Sequence, residues 1–88
     1  MKVKYSAWHF KRNYDKLPPE IQRRFFFVDA EVIKGNLEVL KRQGWMYFVN
    51  LGPDHAEFGS VKEDGKVFLW RWIGAKEHLS GGKLPVIL

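Results

Sequence analysis

No cysteine occurs in this chain, which excludes a disulfide framework, a thiolate nucleophile and any zinc site built on cysteine. Histidine is scarce: His9, His55 and His78 are scattered rather than set at metal-ligand spacing, so no metal and no other cofactor is expected. No segment approaches the roughly 18 apolar residues that a membrane span needs, and the opening MKVKYSAWHF lacks the apolar core of a secretory leader. A cytoplasmic protein that meets no membrane is the expectation. Phosphate-loop, GxGxxG, zinc-knuckle and GxSxG patterns are all missing. Negative charge is in deficit too, with 10 Asp and Glu against 15 Lys and Arg, a formal charge of +5 and an isoelectric point near 9.6. That balance favours polyanionic or acidic partners.

Apolar residues make up 45% of the chain and aromatic residues 16%, the profile of a packed domain rather than a disordered segment. A length of 88 residues suits one domain, 1–88, with a thin core. Lys2-Val3-Lys4-Tyr5 alternates as a short strand does. Ser6 then offers an N-cap, and Phe10, Tyr14 and Leu17 recur at helical spacing. Pro18 disfavours helix at Leu17, whereas Pro19 and Glu20 suit the first turn of a second helix. Ile21, Phe25, Val28 and Val32 form its apolar stripe, and Gly35-Asn36 is a stop signal. Three consecutive aromatics, Phe25, Phe26 and Phe27, cannot all face one core.

From Leu37 the pattern changes to strands. Trp45 to Leu51 has high β-propensity, Gly52-Pro53-Asp54 is a turn, and Ala56 to Val61 reads as a second, weaker strand. Asp64-Gly65 is the strongest hairpin signal, leading into a third strand from Val67 to Ile73. Apolar residues fall on both faces of that strand, Val67, Leu69 and Ile73 on one and Phe68, Trp70 and Trp72 on the other, which predicts a central position. The expected fold is therefore α+β: an N-terminal strand, a helical hairpin and an antiparallel three-stranded meander. Glycines give the chain from about residue 80 a flexible composition, and Leu84-Pro85-Val86-Ile87-Leu88 is apolar enough to form an edge strand or bind another chain.

A basic, aromatic-rich domain with histidines near strand ends suits RNA, whose phosphates meet cations and whose bases stack on rings or Arg planes. RNA cleavage without metal needs a base for the 2′-hydroxyl, an acid for the leaving oxygen, and cations for the charge on phosphorus. His55 and His78 fit the first two roles because histidine titrates near neutrality, and adjacent antiparallel strands could bring them together. Lys76 stands beside them in sequence. Lys41, Arg42 and Arg71 are the cation candidates for RNA phosphate. Arg71 lies in an apolar strand, so its charge needs either a functional pocket or a carboxylate such as Glu57. The helix cations Lys11, Arg12, Lys16, Arg23 and Arg24 read as solvated or as facing an acidic partner.

Phe10-Lys11-Arg12-Asn13-Tyr14-Asp15-Lys16-Leu17-Pro18-Pro19-Glu20-Ile21, with Trp45 and Leu69-Trp70-Arg71-Trp72-Ile73-Gly74, resembles the RelE/ParE toxin superfamily of type II toxin–antitoxin systems. The resemblance implies a RelE-like fold neutralised by a cognate acidic, helical antitoxin. It also implies either a ribosome-associated mRNA endonuclease that inhibits translation or a non-enzymatic, ParE-like inhibitor of gyrase. His55-Ala56 stands where the family commonly has Tyr-Arg, and Lys76-Glu77-His78-Leu79 where related toxins carry a His-Asp-Glu-Tyr type of sequence. Position by position, Lys76 and His78 therefore occupy the C-terminal site, and an inactive relative acting only by binding is the alternative.

Overall fold

Lys2–Tyr5 forms strand β1, and two helices follow, α1 over Ala7–Asp15 and α2 over Pro19–Ile33, in a computed structural model that describes residues 1–78. A 3-10 turn at Leu37–Val39 leads to β2 (Lys41–Gln43), β3 (Met46–Asn50), β4 (His55–Lys62) and β5 (Val67–Ala75), and a second 3-10 turn spans Lys76–His78. Ser6 holds the N-cap position of α1, but its hydroxyl donates to the Arg71 carbonyl at 3.1 Å rather than to the helix. Pro18 has extended backbone and ends the first helical segment, while Pro19 opens α2 with the φ that its ring supplies. Gly35, at φ +88°, follows the C-cap of α2 and turns the chain away.

The apolar stripe of α2 behaves as its spacing requires: Ile21, Phe25 and Val32 are buried and Val28 packs against them. Phe25 is surrounded by the rings of Tyr5, Phe10, Tyr14 and Trp70, at centroid distances of 6.3, 5.5, 5.5 and 5.8 Å. Both helices lie on one face of the sheet and share a core with Phe68, Trp70 and Ile73. Asp29 clamps α2 to that sheet, accepting hydrogen bonds from Tyr5 Oη at 2.6 Å and Trp70 Nε1 at 2.8 Å.

The strands form one five-stranded mixed sheet in the order β1-β5-β4-β3-β2. The architecture is α+β as expected, but the three-stranded antiparallel meander is enlarged at both edges. Lys41, Arg42 and Gln43, which read as a lead-in, make β2 and pair antiparallel with β3 around Gly44 at φ +62°. That hairpin also leaves Trp45 in the turn rather than at the head of a strand. At the other edge β1 pairs parallel with β5, so β5 is central, with neighbours on both sides.

A β-bulge changes which residues of β5 share a face. Phe58 pairs with Trp72 but Gly59 with Trp70, leaving Arg71 as the extra residue. In consequence Ile73 joins Phe68 and Trp70 under the helices, while Trp72 packs with Phe48, Ala56 and Phe58 on the opposite face. Strict alternation would put Ile73 with Val67 and Leu69, and Trp72 with Phe68 and Trp70. The bulge shifts the phase by one residue. Gly59 permits it, since a Cβ there would lie 2.4 Å from the Leu69 carbonyl oxygen. The expectations for the glycine-rich tail and for 84–88 fall outside the described residues.

Candidate functional site

The Gly52-Pro53-Asp54 turn delivers His55 to the first position of β4, directly opposite Ala75 at the end of β5. The Lys76 amide then donates to the Asp54 carbonyl at 2.8 Å, folding the chain back over the β3–β4 loop as a 3-10 turn that carries Lys76, Glu77 and His78. The three residues expected to carry chemistry, His55, Lys76 and His78, therefore gather at one end of the sheet. The antiparallel register of β4 and β5 is the physical cause.

Two concavities share His55 as a wall. One, of about 150 Å³, is lined by Asn13, Lys16 and Leu17 from the end of α1 and by His55, Gly74, Ala75 and His78. The other, of about 460 Å³, is lined by Asp54, His55, Ala75, Lys76 and Glu77. Their charges differ: the first holds Lys16 and no carboxylate, whereas the second sets Asp54 and Glu77 against Lys76. An anionic group therefore suits the first better than the second, which Lys76 lines. His78 is largely exposed and lies 3.9 Å from Glu77 Oε1.

Lys16 and Asn13 are the site residues that sequence reasoning missed. Lys16 reads as one of several solvated helix cations, yet as the C-cap of α1 it lies at the point where Leu17-Pro18-Pro19 turns the chain beside the strand ends. Asn13, Lys16 and Leu17 stand three and four residues apart on one helical edge. That spacing was the available signal.

The phosphate candidates Lys41, Arg42 and Arg71 are not part of this pocket. Arg71 projects from the bulge onto the sheet face away from the helices, where its Nε donates to Ser60 Oγ at 2.8 Å and its guanidinium lies 5.5 Å from the Trp45 ring centroid. Its expected carboxylate partner, Glu57, faces the helical side and makes no hydrogen bond to it. Lys41 shares the Arg71 face, since it is in register with Phe48, Phe58 and Trp72 across the sheet, about 14 Å from β5 by strand spacing. On that same face Phe58 and Trp72 stack at 5.7 Å with an interplanar angle of 20°. Arg42 points the other way, donating from Nε to the Gly44 carbonyl at 2.9 Å and lying over Tyr47.

Glu57 is fully buried, and neither carboxylate oxygen has a hydrogen-bond partner among the described residues. Burial raises its pKa well above the ordinary carboxylate value, and the charge of Asp29 raises it further. Tyr5 is shifted upward as well, first by burial and then by its hydrogen bond to Asp29. No group of three or more His, Asp or Glu side chains among the described residues is arranged to hold a metal ion.

Fold and site together define a small basic α+β domain with a histidine- and lysine-lined pocket at one end of its sheet and a group of rings and cations on the sheet face away from the helices. No protein-family model matches the chain, and neither the curated proteins nor the solved structures contain a match to it.

Proposed function

We propose that this protein is a toxin of the RelE/ParE type that cleaves mRNA without a metal ion, on the ribosome, and is held inactive by an acidic, helical antitoxin. The observation that carries the reading is the convergence of His55, His78 and Lys16 on one pocket, with Lys76 on the same turn as His78. In such a pocket one imidazole takes the proton of the 2′-hydroxyl as its oxygen attacks phosphorus. The other gives a proton to the departing 5′-oxygen. The products are a 2′,3′-cyclic phosphate and a free 5′-hydroxyl, and the lysines offset the charge that builds on the phosphate oxygens. The element order, a strand, two helices and a sheet, agrees with the family resemblance. An apolar groove of about 300 Å³ along α1, lined by Tyr5, Phe10, Lys11, Tyr14 and Phe25, offers the antitoxin a place to dock.

Purified protein incubated with single-stranded RNA and ribosomes in the presence of a chelator is expected to yield cyclic-phosphate ends. His55→Ala and His78→Ala should each slow cleavage about 10²- to 10⁴-fold. Intact RNA under these conditions, with normal growth of bacteria making the soluble protein, would overturn the assignment.

A specific observation favours the second reading, in which the protein acts by binding alone, either as an inactive relative or as a ParE-like inhibitor of gyrase. Arg71 and Lys41, the phosphate candidates, stand on the sheet face with Trp45, Phe58 and Trp72 rather than in the histidine pocket. Salt-sensitive retention of RNA with no product marks the inactive binder, and DNA-damage signalling with intact mRNA marks the gyrase inhibitor.

A further inference from the structure

The outer face of α2 carries an apolar patch that the fold leaves unused. Phe26 and Phe27 are 67% and 70% exposed and pack edge to face at 6.3 Å, and Ile33 is 49% exposed one to two turns on. Two adjacent exposed phenylalanines on a helix of 15 residues hold apolar surface in water with no return from folding. Neither ring lines the apolar groove or the histidine pocket.

The charges around the patch identify its occupant. Glu20, Arg23, Phe27, Ala30 and Lys34 follow one another at alternating steps of three and four residues, so they form one row along the helix with the apolar Phe27 and Ala30 at its middle and charges toward both ends. Arg23 and Glu31 stand four residues before and after Phe27, and Glu20 and Lys34 seven before and after. Signs are opposite within each pair. Two copies of α2 crossing antiparallel, with Phe27 against Phe27, therefore set Arg23 of each copy against Glu31 of the other, and Glu20 against Lys34. A two-fold axis produces both contacts twice. Sliding the register so that Phe27 meets Ala30 would instead oppose Arg23 and Lys34, two cations.

Local charge balance points the same way. From Pro19 to Lys34, Arg23, Arg24 and Lys34 are matched by Glu20, Asp29 and Glu31, so the chain's +5 resides elsewhere. An anionic polymer or acidic peptide has no reason to choose this face, whereas a second copy meets no net repulsion along it. Existing ion pairs do not obstruct the contact. Glu20–Arg24 at 3.0 Å and Glu31–Lys34 at 3.4 Å are exposed intrahelical pairs of little energy, and Arg23 has no ion-pair partner among the described residues.

We infer that the outer face of α2, centred on Phe27, is a self-association surface on which two copies of this chain pair through antiparallel α2 helices. A single helix face gives an interface at the small end of the range, so the dimer is weak and forms reversibly with concentration.

Sedimentation of the full chain from micromolar to millimolar concentration tests it. Wild type is expected to pass from monomer to dimer, and Phe27→Asp to remain monomeric with an unchanged circular dichroism spectrum. Arg23→Glu and Glu31→Arg should each weaken dimerisation at least tenfold, and the double variant Arg23→Glu/Glu31→Arg should restore it. That restoration distinguishes a second copy from any other occupant, because only self-pairing places both positions in one contact. A wild type that stays monomeric throughout, a dimer indifferent to Phe27→Asp, or a double variant no better than the single ones would each overturn the inference.

Discussion

Glu57 is the residue whose environment makes the sharpest demand. Its carboxyl is buried without a hydrogen-bond partner among the described residues, and burial raises its pKa. Above about pH 4.3, the ordinary glutamate value, the unfolded chain releases this proton while the folded chain keeps it. Stability is therefore full below that value and falls as pH rises toward the raised folded pKa. Urea titrations at a series of pH values should show this decline in wild type and its absence in Glu57→Gln. Glu57→Leu, which also removes the unsatisfied polar atoms, is expected to stabilise the fold by about 1–3 kcal/mol. The presence of a glutamate in β4 was plain in the sequence. Its position under the helices was not, because the reading of Arg71 as its partner assumed that the two strands alternate without interruption.

At the scale of elements the β4–β5 pair positions most of the functional candidates. Its bulge places Trp72 and Arg71 on the face away from the helices and Ile73 in the core, and its register places His55 opposite Ala75. Gly59→Ala would drive a Cβ into the Leu69 carbonyl oxygen and the Phe68 ring. Because backbone cannot step aside as a side-chain tip can, a loss of about 1–3 kcal/mol is expected, read as a melting temperature lower by about 10 °C. An unchanged melting temperature would show that the strands can separate locally at no cost. The helices were the more legible elements. Ile21, Phe25, Val28 and Val32 marked the buried stripe of α2 through spacing alone, and Leu17-Pro18-Pro19 marked the break before it. At the edges, Lys2–Tyr5 was legible as a strand but its partner was not, and Lys41–Gln43 was not legible as a strand at all, each for a physical reason. Lys41-Arg42-Gln43 is wholly exposed, so it carries no apolar alternation, and nothing local to Lys2–Tyr5 selects a partner 65 residues away.

At the scale of the whole molecule, four of the 15 Lys and Arg belong to the two candidate surfaces: Lys16 in the histidine pocket, Lys76 in the concavity beside it, and Lys41 and Arg71 on the sheet face away from the helices. If each of these four meets one phosphate of a single strand, log affinity falls with log salt at a slope of about −0.7 per contact. Affinity for RNA should then drop about fifty-fold over a fourfold rise in salt, measured by fluorescence anisotropy. Lys41→Ala and Lys16→Ala should each lower the slope by about 0.7. A slope near zero would remove the electrostatic basis of RNA binding, in the nuclease and the inactive binder alike.

The sequence by itself determined the α+β class, the two helices and their break, the core stripe of α2, the turns at Gly52-Pro53-Asp54 and Asp64-Gly65, and the basic charge. Each of these rests on residues near one another in the chain, whose backbone preferences and apolar spacing act locally. Only the tertiary structure decided that β1 runs parallel to β5, that Arg71 and Trp72 share the face away from the helices, and that Lys16 joins His55 and His78. Those outcomes depend on long-range pairing and on a one-residue bulge, and a strand's alternation loses its meaning once its register shifts by a single position.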